Sequence, residues 1–284
     1  MCGITGFIDF NKSSSQTVLE LMTNTLFHRG PDGSGIQLLN EEKAQIGFGH
    51  RRLSIIDLSE HGTQPMQFEH LWICFNGEIY NYQEIKDELS ALGHSFVGGS
   101  DTEMILHAYA QWGKACIEKF IGMFAIVLYD IKANTIFCVR DRAGVKPFFY
   151  YKKDDLFLFA SELKAFHEHP RFQKKINLAA VGAFMQYGNV PTPHCIFEDC
   201  FKLEPGHALT LNLEDHSIQH EQYWNVYDAY NQAKTSISFD EAKTETEKIL
   251  TSACEYRMVA DVPVGVFLSG GYDSACVTSL LQKN

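Results

Sequence analysis

The first 222 residues hold a series of short runs rich in aliphatic and aromatic residues, at 4–10, 46–57, 71–75, 123–129, 135–140, 147–151, 156–160 and 208–213. Runs of this length, bounded by turn signals such as Asn76-Gly77 and Lys153-Asp154-Asp155, suit strands. Helical periodicity falls between them, at 17–27, 83–92 and 103–112. Gly93 follows the second of these as a C-terminal stop, and Ser100 with Glu103 forms the S-x-x-E start of the third. Strands with segregated helices predict a layered α+β unit and not a βαβ array.

The pattern changes after residue 222. Residues 223–237 are polar and aromatic without a period and read as a linker. Ser238-x-x-Glu241 opens a helix to about 256, followed by an apolar strand at 262–268, a glycine turn and a helix at 274–281. This second unit, 238–284, is α/β in character. One strand and two helices cannot cover both faces of a parallel sheet, so the unit is expected to be incomplete. A length of 284 residues agrees with two domains at about 150 residues each.

Charge excludes one class of function. The 24 Lys and Arg against 35 Asp and Glu give −11, which disfavours nucleic acid as a partner. No run approaches the ~18 apolar residues of a membrane span, and the N-terminus has no basic segment before an apolar one. The expectation is a soluble, cytoplasmic protein without a membrane partner. The eight cysteines are scattered and lack C-x-x-C pairs, which argues for reduced core residues and against a zinc site. The cluster of His194, Cys195 and Cys200 is read the same way.

Four features carry chemistry. Cys2 would bear a free α-amine if Met1 were removed, so that one residue supplies a nucleophile and its own base. Asn76-Gly77-Glu78 follows an apolar run, and the Asn amide and Gly N–H are two donors suited to an oxyanion; an ordinary N-G turn is the simpler alternative. Arg51 and Arg52 offer a guanidinium for an α-carboxylate, or else a solvated pair. Asp101 suits an α-ammonium, or else caps a helix. Each plain reading wins alone; together they do not.

Eight motifs stand in the order seen in class II glutamine amidotransferases: MCGITGF, HRGPD at 28–32, GHRRLSIID at 49–57, FNGEIYN at 75–81, GGSDTE at 98–103, GMFAIVLYD at 122–130, RDRAGVKPFFY at 140–150 and ASELKA at 160–165. The chain resembles most of all the glutamine-hydrolysing asparagine synthetase branch. The resemblance implies an Ntn-hydrolase fold, two antiparallel sheets between helical layers. It implies Cys2 as nucleophile, Asn76 and Gly77 as oxyanion hole, Arg51 on the glutamine α-carboxylate, and Glu78 and Asp101 helping to hold glutamine, Asp101 at its α-amine. His28 is read as part of a loop covering glutamine. Ala143 and Phe148-Phe149 depart from the family pattern and bear on packing.

The C-terminal loop Ser269-Gly270-Gly271-Tyr272-Asp273-Ser274 joins the expected strand to a helix, a setting in which glycines and helix N–H groups cradle phosphate. It lacks the Walker A spacing. It resembles the pyrophosphate loop of ATP pyrophosphatases, with Tyr272 where that family usually has Leu. The resemblance implies ATP held by Ser269, Gly270, Gly271, Asp273 and Ser274, with Mg²⁺ at Asp273. Glutamine would supply ammonia for ATP-dependent amidation of aspartate to asparagine. A stand-alone glutaminase or ammonia-donor subunit is the alternative, as is an amidotransferase for another carboxylate such as a sugar acid. A homodimer or a separate synthetase polypeptide is left open, as is whether the gene continues past Asn284.

Overall fold

Alternation along the strands sorts side chains into layers. The structure, a computed structural model, describes residues 1–283; Asn284, the last residue of the expected second unit, lies outside the described residues. Strand β1 (Gly3–Asp9) is buried along its whole length because both of its faces are covered. Ile4 and Ile8 point one way, and Phe7 points the other.

One sheet contains β1, β2 (Gly33–Asn40), β3 (Gln45–Arg52), β8 (Phe149–Lys153), β9 (Leu156–Ala160) and β10 (Cys200–Lys202), in the order β10-β8-β9-β1-β3-β2. The other contains β4 (Met66–Phe68), β5 (Leu71–Ile79), β6 (Gly122–Asp130), β7 (Thr135–Arg140), β11 (His207–Asn212) and β12 (Ile218–Gln222), in the order β12-β11-β7-β6-β5-β4. Every pairing is antiparallel.

Between the sheets, Ile4, Ile8, Ile46 and Phe48 meet Cys74, Val127, Tyr129 and Cys138. On the outer face of the first sheet Phe7 packs with Leu19 and Met22 of α1 (Gln16–Asn24). On the outer face of the second, Ile73, Phe75 and Phe124 pack with Ile85 and Leu89 of α2 (Tyr82–Ala91) and Met104 and Ile105 of α3 (Asp101–Trp112). The layers therefore run helix, sheet, sheet, helix, as expected.

The four strands without a sequence signal, β2, β4, β10 and β12, are the sheet edges. An edge strand needs no continuous apolar run, and a polar edge also discourages pairing with other chains. The run expected at 46–57 stops as a strand at Arg52, and the chain then leaves the sheet as a loop in which Asp57 has a positive φ of 52°. Asn76-Gly77 makes no turn. Both residues lie inside β5, where a Cβ on Gly77 would come within 2.2 Å of the Met123 carbonyl oxygen. Gly93, at φ 96°, does end α2. Ser100 accepts from the Glu103 N–H, but the Glu103 carboxylate turns to the Val97 and Gly98 N–H groups, so only half of that capping box forms. A further helix, α4 (Leu178–Tyr187), is capped by Asn177 and lacks an apolar stripe facing a core.

Past the two sheets, Tyr223 and Trp224 still bond to the Gly206 carbonyl of the first unit. The expected linker contains a short helix, α5 (Val226–Tyr230). Ser238 and Glu241 form both bonds of their capping box at the start of α6 (Phe239–Tyr256), and α7 (Tyr272–Lys283) follows. The strand expected at 262–268 does not form: those residues have no ladder partner among the described residues, and Phe267 is 98% exposed. A strand is stable only against a neighbour that takes its N–H and C=O groups. No helix among the described residues is long and apolar enough to cross a membrane.

Candidate active site

The two sheets bring their ends together where β1 begins. Cys2 immediately precedes β1, whose first residue, Gly3, faces Arg51 of β3. Its Sγ lies 3.4 Å from the Leu53 nitrogen, whose N–H it accepts, and 3.6 Å from the Leu53 carbonyl oxygen. From the second sheet, Asn76, Gly77 and Glu78 of β5 line the same cavity, with Asp101, Gln64, Arg52 and Lys146.

Asn76 is fully buried, and among the described residues neither its amide nitrogen nor its amide oxygen has a hydrogen-bond partner. Leaving such a group unpaired costs about 1–3 kcal/mol, so this amide needs a partner that water or a ligand in the cavity can supply. The backbone of β5 adds a second donor. Phe124, opposite Gly77, spends its N–H and C=O on Asp141, so Gly77 must direct its own polar groups away from β6. On that edge the Phe75 N–H goes to Gln64 Oε1 at 2.6 Å and the Ile79 N–H to Asp101 Oδ2 at 3.1 Å. Pairing with β4 ends at Ile73, so the Gly77 N–H between them faces the cavity with no strand opposite.

Asp101 does not cap its helix; Ser100 does. Burial, with Glu78 nearby, pushes the Asp101 carboxyl up to about 7, against the Ile79 N–H bond that favours its ionised form. Burial also raises Glu78, which Lys146 and the N-terminal ammonium oppose. Burial pushes the Cys2 thiol up and the N-terminal amine down. That amine belongs here to Met1, which also lines the cavity.

Arg51 is not among the residues that line this cavity. Its guanidinium bonds Asn24 and lies over the Phe27 ring, 5.4 Å from Cζ to centroid. Neighbouring residues of a strand point to opposite faces, so Arg52 is the one turned to the cavity. Arg52 donates to the Ser59 carbonyl at 2.8 Å and to the Asp57 carbonyl, bracing the loop whose Leu53, Ile55 and Ile56 form one wall. His28 is also outside the lining set, its Nε2 3.0 Å from Glu162 Oε1. Its neighbour Arg29 instead reaches inward, donating to the Cys2 carbonyl at 2.9 Å.

Three residues of this site carried no signal of their own in the sequence. Gln64 holds the β5 edge. His50, buried and pushed down to about 3 chiefly by burial, is neutral and donates from Nε2 to the Phe75 carbonyl across the sheets. Lys146 is 3% exposed and stands in the cavity wall. His50 and Lys146 lay within motifs already noted; what they touch depends on the packing of the two sheets.

The C-terminal loop lies apart from this cavity. Gly270 has φ 84° and open space where a Cβ would stand, and the Ser269 and Ser274 hydroxyls are 3.0 Å apart. Ser269, Gly270, Gly271, Asp273 and Ser274 thus form an open turn at the start of α7, a local shape that accepts phosphate. No group of three His, Cys, Asp or Glu side chains that could hold a metal ion occurs among the described residues. The segment before the loop is bonded to the first unit: the Asp261 N–H donates to the Ile55 carbonyl at 2.9 Å, and Asp261 Oδ2 accepts from the Asp57 N–H at 2.7 Å.

Two family models match separate stretches of the chain. Residues 1–224 match the family model of the glutamine amidotransferase domain, and residues 245–284 match that of asparagine synthase. Glutamine-hydrolysing asparagine synthetase 3 of Bacillus subtilis is 39% identical over 99% of this chain and 45% of its own length. Asparagine synthetase 1 of the same organism is 34% identical over 100% of this chain and 44% of its own. An amidase of Gibberella zeae is 35% identical over 99% of this chain and 43% of its own. The chain therefore spans about half the length of these relatives. Among solved structures, the glutamine phosphoribosylpyrophosphate amidotransferase of B. subtilis shares the fold, with a TM-score of 0.57 at 20% identity over 78% of this chain and 49% of that one.

Proposed function

The chain belongs to the glutamine amidotransferase family, and from that premise we propose that Cys2 hydrolyses glutamine and that the ammonia serves an asparagine-synthetase-type amidation. The observation that carries the reading is the orphaned Asn76 amide beside the Gly77 N–H, two donors facing the cavity that Cys2 enters. Once Met1 is removed, the α-amine belongs to Cys2 itself. The thiol gives its proton to that amine as Sγ attacks the side-chain carbonyl carbon of glutamine, and Asn76 with Gly77 holds the oxyanion. The proton passes to the leaving nitrogen, the C–N bond breaks, and ammonia departs from a γ-glutamyl thioester. Water then adds to the thioester carbon, the C–S bond breaks, the sulfur recovers a proton and glutamate leaves. Glutamate release from glutamine, together with loss of Met1 in the intact mass, tests this. An active protein that retains Met1 removes the amine from the mechanism.

Arg52 is assigned to the α-carboxylate end of glutamine and Asp101 to its α-ammonium. An α-carboxylate contact is much the same in ground and transition states, so Arg52→Ala raises KM about tenfold or more with kcat little changed. Arg51→Ala leaves KM within about twofold. The reverse ranking in steady-state kinetics would return the role to Arg51. Asp101 adds a pH dependence. Its carboxyl, pushed up to about 7, is increasingly neutral below that pH and loses its attraction for an ammonium. KM for glutamine therefore rises as pH falls from 8 to 5.5, by at most about tenfold per unit below 7. Asp101→Asn has a raised KM with this acid limb flattened. A KM that does not change with pH in the parent protein would overturn the assignment.

Ser269, Gly270, Gly271, Asp273 and Ser274 would hold the phosphates of ATP, with Mg²⁺ beside Asp273. ATP would supply the activation of a carboxylate acceptor toward ammonia. Asparagine synthetase relatives make aspartate the first acceptor to test, and the similarity to an amidase keeps another carboxylate as the second.

A further inference from the structure

The segment 140–150, RDRAGVKPFFY, has no role in the reading above, yet the structure spends many bonds on its shape. Asp141 Oδ1 accepts from the Ala143 and Val145 N–H groups at 3.2 and 2.9 Å. Its Oδ2 accepts from the Lys146 N–H at 2.9 Å and from the Phe124 N–H of β6 at 3.2 Å. Arg140 grips the other side, donating to the carbonyls of Lys146 at 2.8 Å, Gly144 at 2.7 Å and Leu203 at 2.7 Å. The side chain set in place by this brace is Lys146, buried in the wall of the cavity that contains Cys2, Asn76 and Glu78.

Lys146 is a largely buried residue on the cavity wall, and partial desolvation of an ammonium carries a cost that a counter-charge offsets. No hydrogen bond is formed by Lys146 Nζ among the described residues, whereas the cavity's other basic side chain, Arg52, is tied to backbone carbonyls. We propose that Lys146 is a positioning residue for the thiol: the Arg140–Asp141 brace presents its ammonium to Cys2 as a fixed counter-charge that favours the attacking thiolate.

The surrounding charges agree in sign. Burial raises the thiol; the Leu53 N–H and the N-terminal amine oppose that rise, Asp101 adds to it, and Lys146 opposes it by a smaller amount. Lys146 and Arg29 also lower the N-terminal amine, carried here by Met1, where burial has the largest effect and Cys2 and Glu78 act the other way. Lys146 itself is lowered mainly by burial, with Arg29 acting the same way and Glu78, Cys2 and Asp141 opposing. A positive charge here thus makes the thiol a better acid and the amine a freer base near neutral pH.

The inference rests on Cys2 as the nucleophile, so its test reads the thiol without needing turnover. The rate of Cys2 alkylation by iodoacetamide is followed against pH by mass spectrometry of the N-terminal peptide, in the parent protein and in Lys146→Met, Lys146→Gln and Lys146→Arg. The two neutral variants move the alkylation midpoint up by about one pH unit, which is about tenfold slower alkylation at pH 7; Lys146→Arg stays near the parent. The acid limb of kcat/KM for glutamine moves in step with it. An unmoved midpoint in whichever neutral variant folds overturns the proposal, as does an equal shift in Lys146→Arg, because shape and not charge would then be responsible. Absence of glutamine hydrolysis in the parent protein would strike the glutaminase reading and leave the alkylation result to be judged by itself.

Discussion

Cys2→Ala is expected to abolish glutamine hydrolysis while the protein stays folded. The fold loses little, because among the described residues the only polar contacts of this thiol are two long ones to Leu53, and sulfur is a weak donor and acceptor. Chemistry loses its covalent path altogether. Deleting the nucleophile of a hydrolase costs on the order of 10⁶ in kcat where such losses have been measured. Glutamate release under saturating glutamine measures the loss, and a thermal melt close to that of the parent confirms that the fold survives. Residual activity within about tenfold of the parent would show that another group attacks.

The second large effect is that of Asn76. Asn76→Ala is expected to lower kcat by about 10²–10³, the loss of one oxyanion donor, with KM changed far less. Stability gives an independent check. An ordinary buried amide is stitched to its neighbours, and removing it strands their polar atoms. The Asn76 amide has no such partners, so its removal strands nothing and the unfolding midpoint should move little. A large drop in stability with kcat unchanged would make Asn76 a structural residue.

Several features were legible before any packing was known. Local rules placed α2 with its Gly93 stop, the start of α6 at Ser238, and the strands of the sheet interiors, because each depends on residues close in the chain. The two-sheet layering and the family were legible in the ordered motifs. Cys2, Asn76, Gly77, Glu78 and Asp101 could be named because the motifs that contain them mark them out, and the structure brings them to one cavity.

Tertiary structure decided the rest. The pair Arg51 and Arg52 is ambiguous in a sequence; the register that sets Gly3 opposite Arg51 turns one guanidinium toward Asn24 and the other toward the cavity. Asn76-Gly77 reads locally as a turn, and only the close approach of β6 keeps it in a strand. The edge strands carry no apolar run because one of their sides faces solvent. The apolar run at 262–268 has the composition of a strand but pairs with no neighbour among the described residues. What the sequence determined by itself was chemistry and local propensity, which nearby residues dictate. Which side chain faces the cavity, and which apolar run becomes a strand, depends on partners distant in the chain, and those are settled only when the layers pack.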